Sequence, residues 1–376
     1  MLDELMPRRS GAINPAKHPD EMFQLLSIPA FDRNAPDVVL GSAIGSSKQS
    51  VRPGDVLLSK IVPHIRRAWV VPPGQGLRQI ASSEWIVFRG PMVYPPYLRY
   101  VLAGDHFHAQ FMATVAGVGG SLMRARPERV RKIEIPLPSF DEQRMIAAIL
   151  DQADALRAKR HLAIAYLDDL VPSIFLDMFG DPVANPKHWP IATLAELGDL
   201  DRGISRHRPR NDPALLGGPH PLVQTGEVAN SGGYIRTFNA SYSDLGLAQS
   251  KLWPAGTLCI TIAANIGKTG ILEFDACFPD SVVGFTSNSA TVDYVRVWLG
   301  FLQATLEREA PQSAQKNINL TLLRGLPVPM PSAEAIKTFS RRVDKVEEVK
   351  VRAVTEAVRM EDLIRSLQAQ AFSGQL

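Results

Sequence analysis

The stretch RKIEIPLPSFDEQRMIAAILDQADALRAKR, Arg131–Arg160, decides the fold, because its opening RKIEIPLPS is written again as RGLPVPMPS, Arg324–Ser332. The copies lie 193 positions apart (131 to 324), close to half of the 376-residue chain. Without a gap, the same offset carries Asp151 onto Asp344, Asp169-Leu170 onto Asp362-Leu363, Ser173 onto Ser366 and Phe179 onto Phe372. Nearly the whole chain is therefore one unit written twice. The part ahead of each copy repeats more loosely. Leu2-Asp3-Glu4-Leu5 resembles Leu194-Ala195-Glu196-Leu197, and PGDVLLSKIVPHIRRAWVV from Pro53 resembles AGTLCITIAANIGKTGIL from Ala255 with one gap. Matching tails behind divergent globular parts predict two modules that share a frame and differ in what they touch.

The frame is helical by periodicity. Ile146, Ile149, Ala153, Leu156, Ala163, Leu167, Leu170 and Ile174 fall at alternating spacings of three and four, interrupted by Arg160, as in a coiled-coil seam. The second copy reads Phe339, Val346, Val349, Ala353, Met360, Leu363 and Leu367, broken by Arg342 and Glu356. The expected helix-packing and partner-contact positions are Ile146, Ile149, Leu156, Leu167, Leu170, Ile174, Val346, Val349, Leu363 and Leu367. Pro136, Pro138 and Ser139 before Asp141 and Glu142 mark the first helix start, and Gly180 marks its end. Pro172 is expected to kink this helix or split off its last turn. The second helix is expected to end at Ser373-Gly374. Antiparallel pairing within one chain is the simplest way to bury both seams. A helix of about 39 residues would span roughly 58 Å, with the globular domains at opposite ends and pseudo-twofold symmetry.

The globular parts read as mixed α/β. Val56-Leu57-Leu58, Trp69-Val70-Val71, Trp85–Phe88 and Leu258–Ile262 are strand-like runs between Pro and Gly. Amphipathic helices are expected near Tyr97–Thr114 and Asp293–Glu309. The resulting division is 1–140 and 189–332 for the two globular domains, with helical regions at 141–188 and 333–376. The first domain opens at the Leu2–Leu5 echo without a counterpart to Trp189–Leu194, so either this domain is slightly trimmed or the sequence starts late.

Hydrophobic content of 45% with 21% charged residues excludes a disordered chain. Two cysteines, Cys259 and Cys277, exclude a disulfide framework and a four-cysteine zinc site, which fits a reducing cytoplasmic setting. No apolar stretch suits a signal peptide or a membrane span. The formal net charge is only +3, yet residues 1–140 hold 17 Lys+Arg against 11 Asp+Glu.

Those cations are bunched. The first module has Arg8-Arg9, then Lys60 with His64, Arg66 and Arg67, then Arg124 and Arg126. The second has Arg206, Arg208 and Arg210, then Asn265 and Lys268, then Gln315, Lys316, Asn317 and Asn319. Arg can span a guanine edge and Asn or Gln an adenine edge, while Lys and loop amides hold phosphates. Corresponding clusters in both repeats predict a double-stranded DNA surface; isolated, each would read equally well as a solvated loop.

Other motifs lose their chemistry on inspection. Tyr94-Pro95-Pro96-Tyr97 resembles the loop of amino-methyltransferases, but Tyr94 replaces the amide or acid needed there and no glycine-rich cofactor turn accompanies it. It is read as a loop entering a helix. Gly267-Lys268-Thr269 lacks the first P-loop glycine and is read as a strand turn. Pro279-Asp280 has no nuclease partner nearby, since Glu348-Val349-Lys350 falls on the second helix, where it reads as a solvated face. His106 and His108 are expected on a helix, where residues two apart diverge, so no metal site is expected.

IPLPSFDEQRMIAAILDQADALRAKR (Ile135–Arg160), LDDLVPSIFLDMFGDPVANPKHWP (Leu167–Pro190) and LPVPMPS (Leu326–Ser332) together resemble the specificity subunit of type I restriction-modification systems. The resemblance covers essentially the whole chain. It implies two target recognition domains separated by antiparallel helices that act as a ruler, and a non-catalytic reader of a bipartite, asymmetric DNA target. It also implies two methyltransferase subunits and restriction or motor subunits as partners. S-adenosylmethionine, ATP and magnesium would be used by those partners, and this chain would carry no cofactor. Two readings of other classes stay open: a coiled-coil scaffold with no DNA role, and a self-sufficient DNA methyltransferase or nuclease.

Overall fold

In the computed structural model the described residues are 2–8, 11–116, 123–207, 209–263, 265–309 and 318–373. The chain divides into two compact units, Met1–His161 with Thr355–Leu376, and Leu162–Val354. Each consists of β-sheets packed on segments of two long helices, Phe140–Phe179 and Ala333–Ser373.

In the first unit the central sheet is Ala68–Val70, Val56–Ser59 and Trp85–Phe88, all antiparallel. All four residues of Val56–Ser59 are buried, and side chains alternate between two cores. Val56 and Leu58 face a cluster with Tyr97, Ile146, Leu150 and Ala371, whereas Leu57 faces Trp69 and Trp85. A second sheet runs Ala12–Ile13, Lys48–Ser50, Arg78–Ala81, Met22–Leu26, Asp37–Leu40.

The second unit repeats this plan. Its five-stranded sheet runs Asp199–Arg202, Val282–Thr286, Leu258–Thr261, Thr269–Leu272, Tyr234–Ile235. Leu258 and Ile260 face a core with Phe175, Phe179, Tyr294 and Phe339, and Cys259 faces Trp253 and Phe278. A four-stranded sheet, Ala240–Tyr242, Leu216–Leu222, Ala276–Cys277 and Leu252–Trp253, completes it. Ile191–Thr193, the strand with no first-module counterpart in the sequence, pairs with Pro327–Pro329.

The duplication reaches individual hydrogen bonds. Leu2 N–H donates to Ile133 O at 3.1 Å and Leu194 N–H to Leu326 O at 3.0 Å. Buried Tyr97 donates its hydroxyl to Pro136 O at 2.9 Å and meets Phe372 edge-on at 6.0 Å. Buried Tyr294 donates to Pro329 O at 2.5 Å and meets Phe179 edge-on at 5.2 Å. Pro136 and Pro329, like Phe179 and Phe372, are repeat partners.

The long helices start as their sequence demands. Ser139 and Glu142 form a capping box: the Ser139 N–H and hydroxyl donate to the Glu142 carboxylate at 2.8 and 2.7 Å, and Glu142 N–H donates back at 3.3 Å. The first helix ends at Phe179, before Gly180 in the left-handed region at φ +80°. Pro172 does not split it; the helix is assigned without interruption through that residue.

The packing seam differs from its sequence reading by one residue in one of two columns. The column Ala153, Arg160, Leu167, Ile174 and its counterpart Phe339, Val346, Ala353, Met360, Leu367 lie inward or half-buried, and Ile146 is buried. Ile149 is only half-buried. Leu156, Leu170, Val349 and Leu363 are 48%, 41%, 51% and 57% exposed and do not pack. Their inward neighbours are Leu150, Arg157, Ile164 and Val171 on the first helix and Val343, Lys350, Ala357 and Ile364 on the second. The spacings 3-4 and 4-3 satisfy the same period, and charged Arg157 and Lys350 disguise the true column. They are neutralised in place, Lys350 by Asp168 at 2.6 Å and Arg157 by Asp154 at 3.0 Å and Glu361 at 3.7 Å. Lys350 is therefore not on a solvated face. Arg160 and Glu356, which interrupt the two apolar patterns, form an ion pair with each other.

The expected helix Tyr97–Thr114 is two, Pro95–Ala103 and Asp105–Met112. They break at Gly104, where a Cβ would stand 3.1 Å from the Phe372 ring. The other expected helix forms as one, Ser289–Glu309.

Candidate nucleic-acid interface

In the first unit, the end of Val56–Ser59 and the starts of Ala68–Val70 and Trp85–Phe88 share one sheet end. The turn from Lys60 to Arg67 leaves there. Lys60 N–H donates to Glu84 O at 3.0 Å, Lys60 O accepts from Ala125 N–H at 2.8 Å, and Ile61 bridges Arg124. These bonds gather Lys60, His64, Arg66, Arg67 and Arg124, with exposed Arg126 two residues further on. Arg8 is exposed on a separate segment, which Arg131 holds through Met6 O at 2.9 Å and Pro7 O at 3.4 Å. Arg9 lies outside the described residues.

The cations are not equivalent. Arg67 is clamped on Asp32 by two bonds of 2.7 and 3.0 Å, and this guanidinium holds the Asp32 carboxyl below its ordinary range. Arg66 pairs with Asp105 at 2.5 Å and donates to Ala103 O at 3.1 Å. Arg124 reaches Glu84 only at 3.4 and 3.5 Å. Lys60 and His64 have no ion-pair partner among the described residues. Burial, then the nearby Arg66, holds the His108 imidazole below its usual range against the opposing pull of Asp105.

In the second unit the equivalent sheet end carries Ile262, Asn265–Lys268, Pro279–Ser281 and the segment after Arg202. Gly203 N–H donates to Val282 O at 2.9 Å and Ile262 N–H to Ser281 O at 3.0 Å, which brings the three together. Arg210 pairs with Asp280 at 2.5 Å. The Gln249 side chain accepts from Arg206 N–H at 2.6 Å and His207 N–H at 3.0 Å, fixing that loop. Thr261 shapes the other: its hydroxyl donates to Asn265 O and accepts from Lys268 N–H at 3.0 Å, and Gly267 takes φ +75°. Asn265 and Lys268 are left exposed at the turn. Asn319 instead caps the helix Leu320–Arg324, its Oδ1 accepting from Leu322 N–H at 2.7 Å. Arg208, Gln315, Lys316 and Asn317 lie outside the described residues.

Sequence reasoning missed the residues that hold these loops: Glu84, Asp32, Asp105, Gln249 and Thr261. It also missed Val62, whose φ of +46° is strained for a β-branched residue ahead of proline, at a cost of about 1–3 kcal/mol. The dipeptide Val62-Pro63 was the available signal. Of the other motifs, Tyr94 leads into the helix Pro95–Ala103, its N–H held by Gln143 Oε1 at 2.8 Å. His106 and His108 sit on the helix Asp105–Met112. Gly267-Lys268-Thr269 is a strand turn entering Thr269–Leu272. Cys259 and Cys277 are free and buried, and burial pushes both thiols up. No helix among the described residues is long and apolar enough to cross a membrane.

Two copies of one α/β plan thus each carry cationic side chains at one sheet end, with Asn265 beside them in the second. Residues 186–355 match the type I restriction modification DNA specificity domain. That match covers the second unit's globular part and much of the second long helix. The chain is 20% identical over 266 residues to a putative type I restriction enzyme MjaX specificity subunit from Methanocaldococcus jannaschii, a match spanning 68% of this chain and 62% of that relative's length. Its fold is similar to a chain solved in a study of the assembly and conformational transition of a type I R-M system, with TM-score 0.66, 21% identity, and coverage of 100% of this chain and 97% of that one. The type I restriction-modification S subunit from M. genitalium is also similar, with TM-score 0.59 at 13% identity over 99% of this chain and 94% of that one.

Proposed function

We propose that this chain is the DNA sequence-specificity subunit of a type I restriction-modification complex, reading a bipartite, asymmetric duplex target and positioning its partners there. The observation that carries this is the duplicated sheet end, with Lys60, His64 and Arg124 in one unit and Arg206, Arg210, Asn265 and Lys268 in the other. Repetition of the frame with different loop side chains suits a protein that reads a different sequence in each half-site. Lysines and arginines supply the phosphate grip, which is salt-sensitive, and Asn265 and the arginines supply base-edge hydrogen bonds.

The chain itself catalyses nothing in this reading. Two methyltransferase subunits methylate an adenine in each half-site with S-adenosylmethionine, and restriction or motor subunits use ATP and magnesium, in the cytoplasm. Since the target base must leave the stack, this chain's mechanical contribution is to grip and hold distorted DNA. Exchange of residues 1–140 for the corresponding domain of another family member, followed by genome-wide methyladenine mapping, tests it. One altered half-site with the other unchanged is the expected result. Alteration of both halves, or of neither, would overturn the proposal.

A further inference from the structure

An apolar side chain stands exposed among the cations of the first unit. The register of the repeat is set by Val56–Ser59 against Leu258–Thr261 and by the starts of the next strands, Ala68 and Thr269. It is fixed again by Ala125 N–H on Lys60 O and Ile318 N–H on Ile262 O, 2.8 and 2.9 Å. The turn is one residue longer in the first unit, and with that extra residue placed ahead of His64, His64 stands opposite Asn265 and Ile65 opposite Ile266. Ile266 is buried in the core of its unit, at 3% exposure, whereas Ile65 is 43% exposed.

The exposed isoleucine is not on a slack loop. Its N–H closes the Val62–Ile65 turn on Val62 O at 2.9 Å, with Pro63 buried inside the turn. Ser59 Oγ donates to Ile61 O at 3.0 Å, and Val62 is held at φ +46°. Rigid support is what a side chain needs to force apart stacked bases, and a simple contact with a thymine methyl does not need it. Phosphates offer nothing to an isoleucine, while the neighbouring Lys60, His64 and Arg124 would bring the duplex against it.

We propose that Ile65 is an apolar wedge that enters the base stack in the half-site read by the first unit. The second unit, with Asn265 at its tip and Ile266 buried, reads its half by hydrogen bonds. The inference rests on the DNA-reading function and specifies how one half-site is deformed.

The test uses the full chain assembled with its methyltransferase partners and duplexes of the mapped target carrying 2-aminopurine at successive positions. Fluorescence should rise at one base step in the first unit's half-site, apart from the methylated adenine. Ile65→Ala should abolish that rise and weaken specific binding about tenfold, with the salt dependence and melting temperature unchanged. Ile65→Met should restore most of both. Persistence of the rise in Ile65→Ala, or its absence in the unaltered complex, overturns the wedge. So does a uracil-for-thymine substitution that reproduces the whole affinity loss without a fluorescence change. Failure of the unaltered complex to prefer any duplex would instead overturn the DNA-reading function.

Discussion

Truncation of Phe175 to alanine tests how strongly the first long helix is bonded to the second unit. The ring is fully buried and lies 5.1 Å from Phe179, 5.2 Å from Tyr294 and Phe301, and 5.6 Å from Phe339. Loss of a fully buried phenylalanine costs about 3–5 kcal/mol, part of it from the cavity left among rings that cannot all collapse inward. In a unit of this size each kcal/mol moves the unfolding midpoint by roughly 2–4 °C, so the transition should fall by roughly 6–20 °C. Scanning calorimetry measures the shift. Amide hydrogen exchange locates it, with protection lost in Leu258–Thr261 and around Tyr294. Phe175→Leu, which keeps much of the volume, should cost under about 1.5 kcal/mol. A drop below about 3 °C for the alanine variant, or exchange rising at Val56–Ser59 rather than Leu258–Thr261, would refute this account of the core.

Ser139→Ala removes the cap of the first long helix and should cost about 1 kcal/mol, read as a lower melting temperature with faster exchange in the first helical turn. Asp293 is mostly buried and its carboxyl is raised by desolvation, against the lowering effect of the Ser340 hydroxyl at 2.6 Å and of Arg296. Its folded-state pKa therefore exceeds the unfolded value, so its contribution is complete below the ordinary 3.8 and is lost as pH rises through the raised value. Asp293→Asn should flatten that part of the stability-pH curve, and an unchanged slope would contradict it. Lys268→Ala should weaken binding to all duplexes alike and lower the slope of log K against log salt by about 0.9 for one lost phosphate contact. A selective effect on one base position would instead make Lys268 a base reader.

The duplication, the helix limits and the central strands were legible because they depend on local signals: turn residues, capping residues and apolar period. The seam was half legible. Ala153, Leu167, Val346 and Leu367 followed the pattern, but the second column contains Arg157 and Lys350, whose acids Glu361 and Asp168 are distant in sequence. A charge on a packing face looks like an interruption until its partner is known, as Arg160 and Glu356 show by pairing with each other. The same distance effect governs the candidate site. Arg67 and Arg66 resemble free DNA-binding cations in the sequence, yet Asp32 and Asp105 engage them. The strain at Val62 depends on a backbone angle that composition does not record.

The division of the chain has a consequence for the order in which it is made. The second unit is closed by an unbroken run, Leu162–Val354, while the first draws on Met1–His161 and on Thr355–Leu376. During synthesis, which proceeds at about 5–20 residues per second, the downstream unit has all its parts before the upstream one does. Phe372, which meets Tyr97, is added after the whole of Leu162–Val354. The first unit thus waits for the end of the second long helix, and a nascent chain arrested near residue 355 would contain every residue of the second unit while the first still lacked part of its core.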